Sequence, residues 1–384
     1  MPPDNTDHLD LDPDRQQQAR RYAAIRRRLM LVSLVFNAAY VLAWLLAGWS
    51  LDLRRLLETY TQNEWLLVPA FTLAFSAAAS LYEAPMSYYS GFVLPHRFGL
   101  SNQSLKEWLW DNLKGLLVAG PIGLVLLEAV YFILRLAPDL WWLLAAGFLL
   151  VFNVVLGNLF PVLIAPLFNK YNPLDEEHAD LAVRLVSLAE NAGTRIQGVY
   201  QFDLSRQTKA ANAALAGIGN TRRIILADTL LDEFTPGEIE TVLAHELGHH
   251  VNRDIPLGIA FGSFTTLVGL YLASLGLNWG VDYFGFSGVS DIAALPLLGL
   301  VMGAFGLLTT PLGSAFSRWR ERRADAYALE ATQNAPAFAS AMRRLADQNL
   351  ADADPPAWVE FLLHSHPALS KRIAMAEQHP SHPA

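Results

Sequence analysis

The chain has 384 residues, of which 53% are hydrophobic and only 17% are charged, and its net charge at pH 7 is −8. This composition is too apolar for a typical soluble enzyme, and the acidic balance argues against nucleic acid as a partner. The chain contains no cysteine, which excludes structural disulfides and thiolate metal sites. Any metal must therefore be held by histidines and carboxylates.

The apolar residues are concentrated in six runs of roughly 18 residues or more. A helix rises about 1.5 Å per residue, so about 20 apolar residues span the hydrocarbon layer of a bilayer. Six such runs would overfill the core of a soluble protein, and they therefore predict a polytopic bundle of membrane helices. The predicted spans are residues 29–49, 65–82, 113–134, 140–164, 255–277 and 294–312.

The segments between the spans differ in positive charge. Lys and Arg are concentrated in the N-terminal tail, the loop 83–112 and the polar regions after the fourth and sixth spans. By the positive-inside rule, both termini and the segment 165–254 should lie in the cytoplasm. No cleavable signal peptide precedes the first span, so we expect an integral membrane protein. An Ala-, Leu- and Arg-rich composition favours a bacterial source, and hence the inner membrane.

These features divide the chain into five predicted units. They are an N-terminal tail at 1–28, four spans at 29–164 including the loop 83–112, a polar segment at 165–254, two spans at 255–312 and a C-terminal helical segment at 313–384.

The polar segment 165–254 has the patterns of a small mixed α/β unit. Residues 175–192 show the apolar spacing of an amphipathic helix, and residues 198–204 fit a short strand. Residues 210–218 and 222–226 flank Gly219-Asn220, a two-residue turn signal, which predicts a β-hairpin. The expected fold is thus mainly α, a membrane helical bundle with a small β-sheet in the polar segment.

A capped helix is predicted at the end of this segment. Thr235, Pro236 and Glu238 fit an N-cap, a first-turn proline and the returning acid of a capping box. The same helix should run through the sequence HELGH at 245–249.

The HELGH sequence is an HExxH motif. His245 and His249 lie one turn apart on one helix face, so their imidazoles can converge on one Zn²⁺, while Glu246 points at the remaining coordination position and can act as catalytic base. The motif also arises by chance on surface helices or at non-catalytic sites. The helix cap and the apolar flanks favour a catalytic zinc site here. His250 lies on a different helix face and is expected behind the ligands or at the surface.

A catalytic zinc site has three protein ligands and an open position for water. After the sixth span, Glu321 and Asp325 lie four residues apart on a second predicted helix. One carboxylate could reach the metal and the other could hold a ligand imidazole from behind. The alternative is that both only pair with neighbouring arginines on a solvated face. An otherwise incomplete HExxH site favours the first interpretation.

Several further motifs occur together with HExxH. The chain resembles the type I CAAX prenyl endopeptidases, which are integral membrane zinc metalloproteases with an HExxH motif and a distal Glu. The resemblance covers about residues 82–376, in the family's order. The matching stretches are YSGFVLPHRFGLSNQ at 89–103, IAPLFNKYNPL at 164–174, NAALAG at 212–217, RIILADTLL at 223–231, SRWRERRAD at 317–325 and SHPALSKRI at 365–373.

The resemblance implies roles for five residues outside the HExxH motif. Glu321 would be the third zinc ligand and Asp325 its partner behind the metal. Asn212 would bind substrate backbone near the scissile bond, and His366 and Arg372 would stabilise the oxyanion or grip the substrate. The family commonly has Asn-Ala-Tyr-Phe where this chain has NAAL at 212–215, so the side-chain pockets should differ.

The predicted function is that of a membrane zinc metalloendopeptidase resembling the CAAX prenyl proteases, which remove the C-terminal tripeptide of prenylated proteins. Because HExxH lies just before the fifth span, peptide or protein substrates that are lipidated or tethered to the bilayer are favoured. A heat-shock-type quality-control protease is the nearest alternative. A non-enzymatic scaffold or transporter with a structural zinc is the alternative from another class. Glu128, Asn153 and Asn158 lie within predicted spans, so each should face a cavity or a partner.

Overall fold

Six long helices dominate the computed structural model, which describes residues 10–217 and 222–379. Within this part of the chain, six helices are long and apolar enough to cross a membrane, which confirms the predicted bundle. Including the π and 3₁₀ turns that continue some of them, they cover Pro13–Leu46, Glu64–Arg97, Leu105–Leu136, Trp141–Leu167, Asp254–Phe284 and Ile292–Thr332.

Shorter helices connect and follow these spans. In chain order the α-helices are α1 (Pro13–Leu46), α2 (Trp49–Glu58), α3 (Glu64–Tyr88), α4 (Leu94–Arg97), α5 (Leu105–Leu136), α6 (Trp141–Leu159), α7 (Ala179–Asn191), α8 (Asp228–Glu233), α9 (Pro236–Val251), α10 (Asp254–Phe284), α11 (Leu295–Thr332), α12 (Ala335–Gln348), α13 (Ala357–Leu363) and α14 (Leu369–Glu377).

Helix α1 begins well before its apolar part. The Asp12 side chain accepts hydrogen bonds from the backbone N–H groups of Asp14 and Arg15, which fixes the start of the helix. One turn later, Gln16 Oε1 accepts a hydrogen bond from the backbone N–H of Ala353 at 3.1 Å. Residues 13–28, assigned to the N-terminal tail from the sequence, are therefore helical, and their first turns pack on the C-terminal segment.

Helix α11 is also longer than its apolar part. The predicted span 294–312 continues as one helix to Thr332. The helix therefore leaves the membrane region with Glu321 and Asp325 on it, and it passes alongside α9. The two carboxylates therefore lie on the continuation of a membrane helix, next to the polar segment.

The polar segment contains one four-stranded sheet with the order β1-β2-β4-β3. Strands β3 and β4 form the predicted antiparallel hairpin, with Ala213 opposite Leu226, and the predicted turn residues Gly219-Asn220 lie outside the described residues. Strand β1 was not predicted, because three residues ending in proline carry little strand signal. The strands are β1 (Tyr171–Pro173), β2 (Val199–Phe202), β3 (Ala213–Ala216) and β4 (Arg223–Ala227).

Among the described residues, two large hydrophobic cores stabilise the fold, beside a small third cluster at Ala19, Leu100 and Leu350. One lies between the sheet and helices α7, α9 and α12, and it includes the fully buried Ile224 and Leu243. The other lies inside the membrane bundle and includes Tyr131 and Trp141. Helix α9 contacts both the edge strand β3 and helix α11, so the first core fixes the helix that carries HExxH.

The polar residues inside the spans have two different environments. Asn153 and Asn158 line a cavity of about 760 Å³ between α6 and α10, as expected for residues that face a cavity. Glu128 instead has a partner, because its Oε2 lies 3.8 Å from the guanidinium of Arg135 on the same helix.

Candidate active site

The start of α9 follows the predicted capping box. Glu238 donates its backbone N–H to Thr235 Oγ1, and Glu238 Oε2 accepts from the Thr235 N–H at 2.8 Å. The other carboxylate oxygen of Glu238 accepts from Ser340 at 2.5 Å and from Arg344 at 3.0 Å, both on α12. The helix is therefore fixed at its N-cap, Thr235, ten residues before the functional motif begins at His245.

His245 and His249 lie on one face of α9, with ring centroids 4.8 Å apart. Helix α11 crosses this face at very close range. A Cβ atom on Gly248 would lie 2.8 Å from Ala324 Cα and 3.0 Å from its carbonyl oxygen. Only glycine allows this approach, and Ala324 lies between Glu321 and Asp325 in sequence. The glycine of HELGH therefore lets the second helix bring its carboxylates to the histidines.

Glu321 faces both imidazoles. Its Oε2 lies 3.3 Å from His245 Nε2 and its Oε1 lies 3.5 Å from His249 Nε2. One donor atom from each of these three residues can be chosen so that all lie within 4.8 Å of one another. Glu321 Oε2 is buried, yet it accepts no well-directed hydrogen bond. Two nitrogens and a carboxylate around an unsatisfied oxygen suit a metal ion, so the three residues fit a metal site.

The other ring nitrogen of each histidine is held by a carboxylate. His245 Nδ1 lies 2.8 Å from Asp325 Oδ1, and His249 Nδ1 lies 2.7 Å from Asp254 Oδ2. A protonated Nδ1 in such a pair leaves the Nε2 lone pair free to bind a metal. Glu321 and Asp325 are both buried, which removes the interpretation that they only pair with arginines on a solvated face.

Asp254 was missed by reasoning from the sequence. It lies five residues after His249, at the first position of α10, and it is buried. The available signal was an acidic residue in the short turn between HExxH and the fifth span. Without the structure, nothing placed that turn beside the His249 ring.

Arg372 lies behind the site rather than in the open cleft. Its Nε donates to Asp325 Oδ2 at 2.9 Å and its NH2 group donates to Asp325 Oδ1 at 2.5 Å. The two bonds form a buried bidentate pair, which holds the carboxylate that in turn holds His245.

His366 reaches the carboxylate of Glu321, rather than that of Asp325. Its Nε2 lies 3.4 Å from Glu321 Oε2, and its side chain is 60% exposed. Asn212 lies directly before β3 and is exposed, while its backbone oxygen accepts from Ala227 N–H at 2.9 Å. His250 is separate from the cluster, with Nε2 lying 3.2 Å from an Arg222 guanidinium nitrogen.

Burial and charge shift the pKa values of three groups in the site. Burial raises the pKa of the Glu246 carboxyl, which makes it a better proton acceptor. Burial also lowers the pKa of His366. Burial lowers the pKa of His245, but the adjacent carboxylates of Asp325 and Glu321 outweigh that effect and raise the pKa to about 9.

The whole fold has a known counterpart. The crystal structure of S. mikatae Ste24p superposes with a TM-score of 0.87 at 25% sequence identity, covering 98% of this chain and 91% of that one. Two family models also match in tandem. Residues 1–170 match the CAAX prenyl protease N-terminal domain, described as five membrane helices, and residues 175–379 match peptidase family M48. The chain belongs to peptidase family M48.

Similar M48 proteins occur in bacteria and eukaryotes. The uncharacterized metalloprotease YhfN of Bacillus subtilis is 28% identical over 377 residues, which cover 97% of this chain and 88% of that protein. CAAX prenyl protease 1 of Saccharomyces cerevisiae is 31% identical over 320 residues, which cover 78% of this chain and 69% of that protein. This M48 chain is therefore a membrane metalloprotease of the CAAX prenyl protease type, as predicted, and the scaffold or transporter alternative is set aside.

Proposed function

We propose that the protein is a zinc endopeptidase that cleaves peptide segments presented at the membrane surface, with His245, His249 and Glu321 as the metal ligands. The observation that carries this proposal is the convergence of these three donors beside Glu246 in a metalloprotease fold. The set of two imidazoles and one carboxylate is that of catalytic zinc in peptidases. When bound, zinc would supply Lewis acidity for activating water and polarising the scissile carbonyl.

Glu246 is the proposed catalytic base. Among the described residues, no hydrogen bond or ion pair engages its carboxylate, so both oxygens are free to accept a proton from the attacking water. Transfer of that proton to the amine then releases the leaving peptide. Glu246 follows His245 directly in the sequence, so the helix that holds the ligands also positions the base.

The substrate backbone is proposed to lie along β3. This strand is at the edge of the sheet and contacts α9, so an extended peptide can add to the sheet next to the ligands. Asn212, exposed at the start of β3, would hydrogen-bond the peptide near the scissile bond. Main-chain pairing depends little on side chains, so access to the site sets much of the specificity.

His366 is the proposed donor to the oxyanion. Its Nδ1 lies 3.0 Å from the Ser365 hydroxyl. When that hydroxyl donates to Nδ1, the ring proton is on Nε2, the atom that faces Glu321 and the site. A neutral N–H at this position can stabilise the charge that develops on the carbonyl oxygen. Arg372 acts on the same reaction through Asp325, which it holds in place behind His245.

The cavity between α6 and α10 supports lipidated substrates. Its wall includes Leu215, Ala216 and Gly217, at the end of the edge strand, together with apolar residues such as Val154 and Ile259 from the membrane helices. A peptide on β3 could therefore insert an attached lipid into the bundle beside it. The relative from Saccharomyces cerevisiae is named as a CAAX prenyl protease, which agrees with an isoprenoid as the lipid.

The proposed orientation places the site in the cytoplasm. Arg26, Arg27 and Arg28 precede the apolar part of α1, and the positive-inside rule puts this end on the cytoplasmic side. The C-terminal segment packs on the same end of α1, at Gln16. The relative from Bacillus subtilis agrees with a bacterial source, and the proposed location is the inner membrane.

A peptide cleavage assay tests this function. A farnesylated CAAX peptide should be cleaved by the purified protein, and a chelator should abolish cleavage until zinc is restored. Glu246→Gln should keep its zinc and lose turnover. A chelator-resistant activity would refute the metal mechanism, and equal rates for farnesylated and unmodified peptides would argue for a quality-control protease instead.

A further inference from the structure

A small cavity lies between α1 and α3, apart from the metal site and from the cavity between α6 and α10. Its volume is about 330 Å³, near the lower end of the range for small-ligand sites. Its wall comes from residues 26–33 of α1 and from residues 83–90, which belong to α3 and to the π-helical turn Tyr89–Val93 that continues it. The proposed cleavage reaction uses none of these residues.

Deeper in the bundle, α1 and α3 are joined directly. Tyr82 Oη donates to Asn37 Oδ1 at 2.8 Å, and Tyr40 Oη donates to the backbone oxygen of Phe75 at 2.6 Å. Residue numbers rise along α1 where they fall along α3, so the two helices are antiparallel. The cavity begins about one turn beyond the pair of Tyr82 and Asn37, towards the start of α1.

This position is the level at which a bilayer meets water. Arg26 precedes the apolar part of α1, which begins at Leu29, and Glu83 follows the apolar residues 65–82 of α3. Because the helices are antiparallel, both charged residues lie at the same face of the membrane. Phospholipid headgroups occupy this level, so a headgroup can reach the cavity from the bilayer.

Two opposite charges line this cavity without meeting. Arg26 and Glu83 are both in its wall, yet they do not form an ion pair with each other. Among the described residues, the Glu83 carboxylate has no hydrogen bond or ion pair. The Arg26 guanidinium lies 5.7 Å from the Tyr22 ring centroid, and it too has no carboxylate partner in the described part of the chain. A ligand that satisfies both groups must carry an anion and a cation.

The rest of the wall offers hydroxyl groups and apolar contacts. Ser90 Oγ lies 3.5 Å from the Ser87 carbonyl oxygen, at the limit of a hydrogen bond, and the Ser87 hydroxyl has no partner among the described residues. Both hydroxyls are therefore available to phosphate or ester oxygens. Leu29, Met30 and Met86 also line the cavity, and they can contact the first methylene groups of acyl chains.

The two charges distinguish between kinds of headgroup. A headgroup that carries only a phosphate would pair with Arg26 but would bring a second negative charge near Glu83, which is unfavourable. A choline headgroup carries both charges, but its methylated nitrogen has no N–H to donate. A primary ammonium has three donors and can form a charge-assisted hydrogen bond with a carboxylate. An ethanolamine headgroup therefore fits this wall best.

We propose that this cavity binds one phospholipid with an ethanolamine headgroup, whose phosphate contacts Arg26 and whose ammonium donates to Glu83. The acyl chains would pass Met30 and Met86 into the bilayer. The lipid would thereby connect α1 to α3 at the membrane surface and stabilise the end of α1 that packs on the C-terminal segment. The site needs neither the metal nor a peptide substrate, so it stands or falls independently of the proposed cleavage.

The test is lipid binding by the full-length protein, purified in detergent and stripped of its own lipid. Phosphatidylethanolamine, phosphatidylglycerol and phosphatidylcholine with identical acyl chains are titrated, and bound lipid is counted by native mass spectrometry. The ethanolamine lipid should bind with a Kd about tenfold lower than the other two, since it alone adds a charge-assisted hydrogen bond to Glu83. Methylating its nitrogen one step at a time should weaken binding progressively.

Two substitutions separate the charges of the site. Glu83→Gln should make the affinities for the ethanolamine and glycerol lipids close to equal, and Arg26→Gln should weaken the binding of all three lipids. Matched controls remove the same charges from the same helices. Glu64 of α3 and Arg28 of α1 are exposed and do not line this cavity, so Glu64→Gln and Arg28→Gln should keep the tenfold preference.

Three outcomes would overturn the inference. Equal affinities for the three lipids in the unchanged protein would mean that ordinary contact with the bilayer accounts for the binding. Tightest binding of phosphatidylglycerol would mean that Arg26 selects an anionic lipid without help from Glu83. A tenfold ethanolamine preference that persists in Glu83→Gln would place the lipid elsewhere. If Glu83→Gln does not fold, the methylated series in the unchanged protein decides, because equal binding across that series would exclude the hydrogen bond to Glu83.

Discussion

The two sides of the active site are packed in opposite ways. On one side, α9 and α11 meet so closely that a Cβ atom on Gly248 would lie 2.8 Å from Ala324 Cα. On the other side, α6 and α10 leave a cavity of about 760 Å³, and a Cβ atom on Gly262 of α10 would have no neighbour within 4 Å. Gly248 therefore allows two helices to come into close contact, whereas Gly262 leaves space open beside the cavity.

This difference matches the two requirements of the proposed reaction. Metal ligands must be held to within about 0.5 Å, which needs a contact that cannot relax. A bulky, variable substrate needs room instead. The residues that serve the two requirements are only a few positions apart in the sequence. Gly248 is near the end of α9, and Asp254, which holds His249, begins α10, the helix that borders the cavity.

Removing Glu321 should disrupt the tight side of the active site, where α9 and α11 meet, completely. Glu321→Ala takes one of three proposed ligands from a buried position, so we expect loss of the metal on dialysis and a fall in activity of about a thousandfold or more. Metal content and cleavage rate are the measurements. Glu330→Ala removes an exposed carboxylate from the same helix and should change neither. Stoichiometric zinc in the Glu321 variant would exclude this residue as a ligand.

Inserting one methyl group between the helices should have the next largest effect. Gly248→Ala cannot be accommodated without moving the Ala324 backbone, which would displace Glu321 from the imidazoles. A displacement of about 1 Å is expected to cost about a hundredfold in activity, with weaker zinc binding. Gly237→Ala, on the same helix as Gly248, is the matched control. Its added Cβ would lie at an ordinary 3.5 Å from the nearest neighbouring atom. Full activity in the Gly248 variant would show that the contact is not essential.

The candidate ligand residues and the spans could be proposed from the sequence, but the contact between α9 and α11 could not. His245 and His249 are recognisable because one helix places both at a fixed spacing, and the spans are recognisable because length and hydropathy are local properties. Asp254, Gly248 opposite Ala324, and the Arg372 pair with Asp325 depend on how distant segments pack. The resemblance to a known family supplied Glu321 and Arg372, whereas no local pattern indicated Asp254.

Filling the open side of the active site, the cavity between α6 and α10, should reduce the cleavage of lipidated substrates selectively. Gly262→Leu places a side chain into the cavity without meeting protein atoms at its Cβ, so the fold and the cleavage of an unmodified peptide should be preserved. Cleavage of the farnesylated peptide should fall about tenfold, because the lipid loses apolar contact area. Gly123→Leu, on α5 with equally open surroundings, is the control. An equal loss for both peptides would indicate general damage rather than a lipid site.

The smallest expected effect concerns the anchor of α9 on the tight side. Hydrogen bonds from Ser340 and Thr235, together with the charge of Arg344, outweigh burial and lower the pKa of Glu238 below its ordinary value of 4.5. The ionised carboxylate therefore stabilises the fold at neutral pH, and this contribution is lost as the pH falls through the lowered pKa. Glu238→Gln should cost about 2 kcal/mol at pH 7 and progressively less in acid, as followed by thermal unfolding.

Glu240→Gln is the matched control for this experiment. Glu240 lies on the same helix but pairs with Arg184, whose side chain is half exposed, and an exposed pair contributes less than about 1 kcal/mol. A destabilisation by Glu238→Gln that did not shrink below the ordinary carboxyl pKa would mean that packing, rather than the charge, anchors α9. The tight side would then depend on shape alone, as the Gly248 contact does.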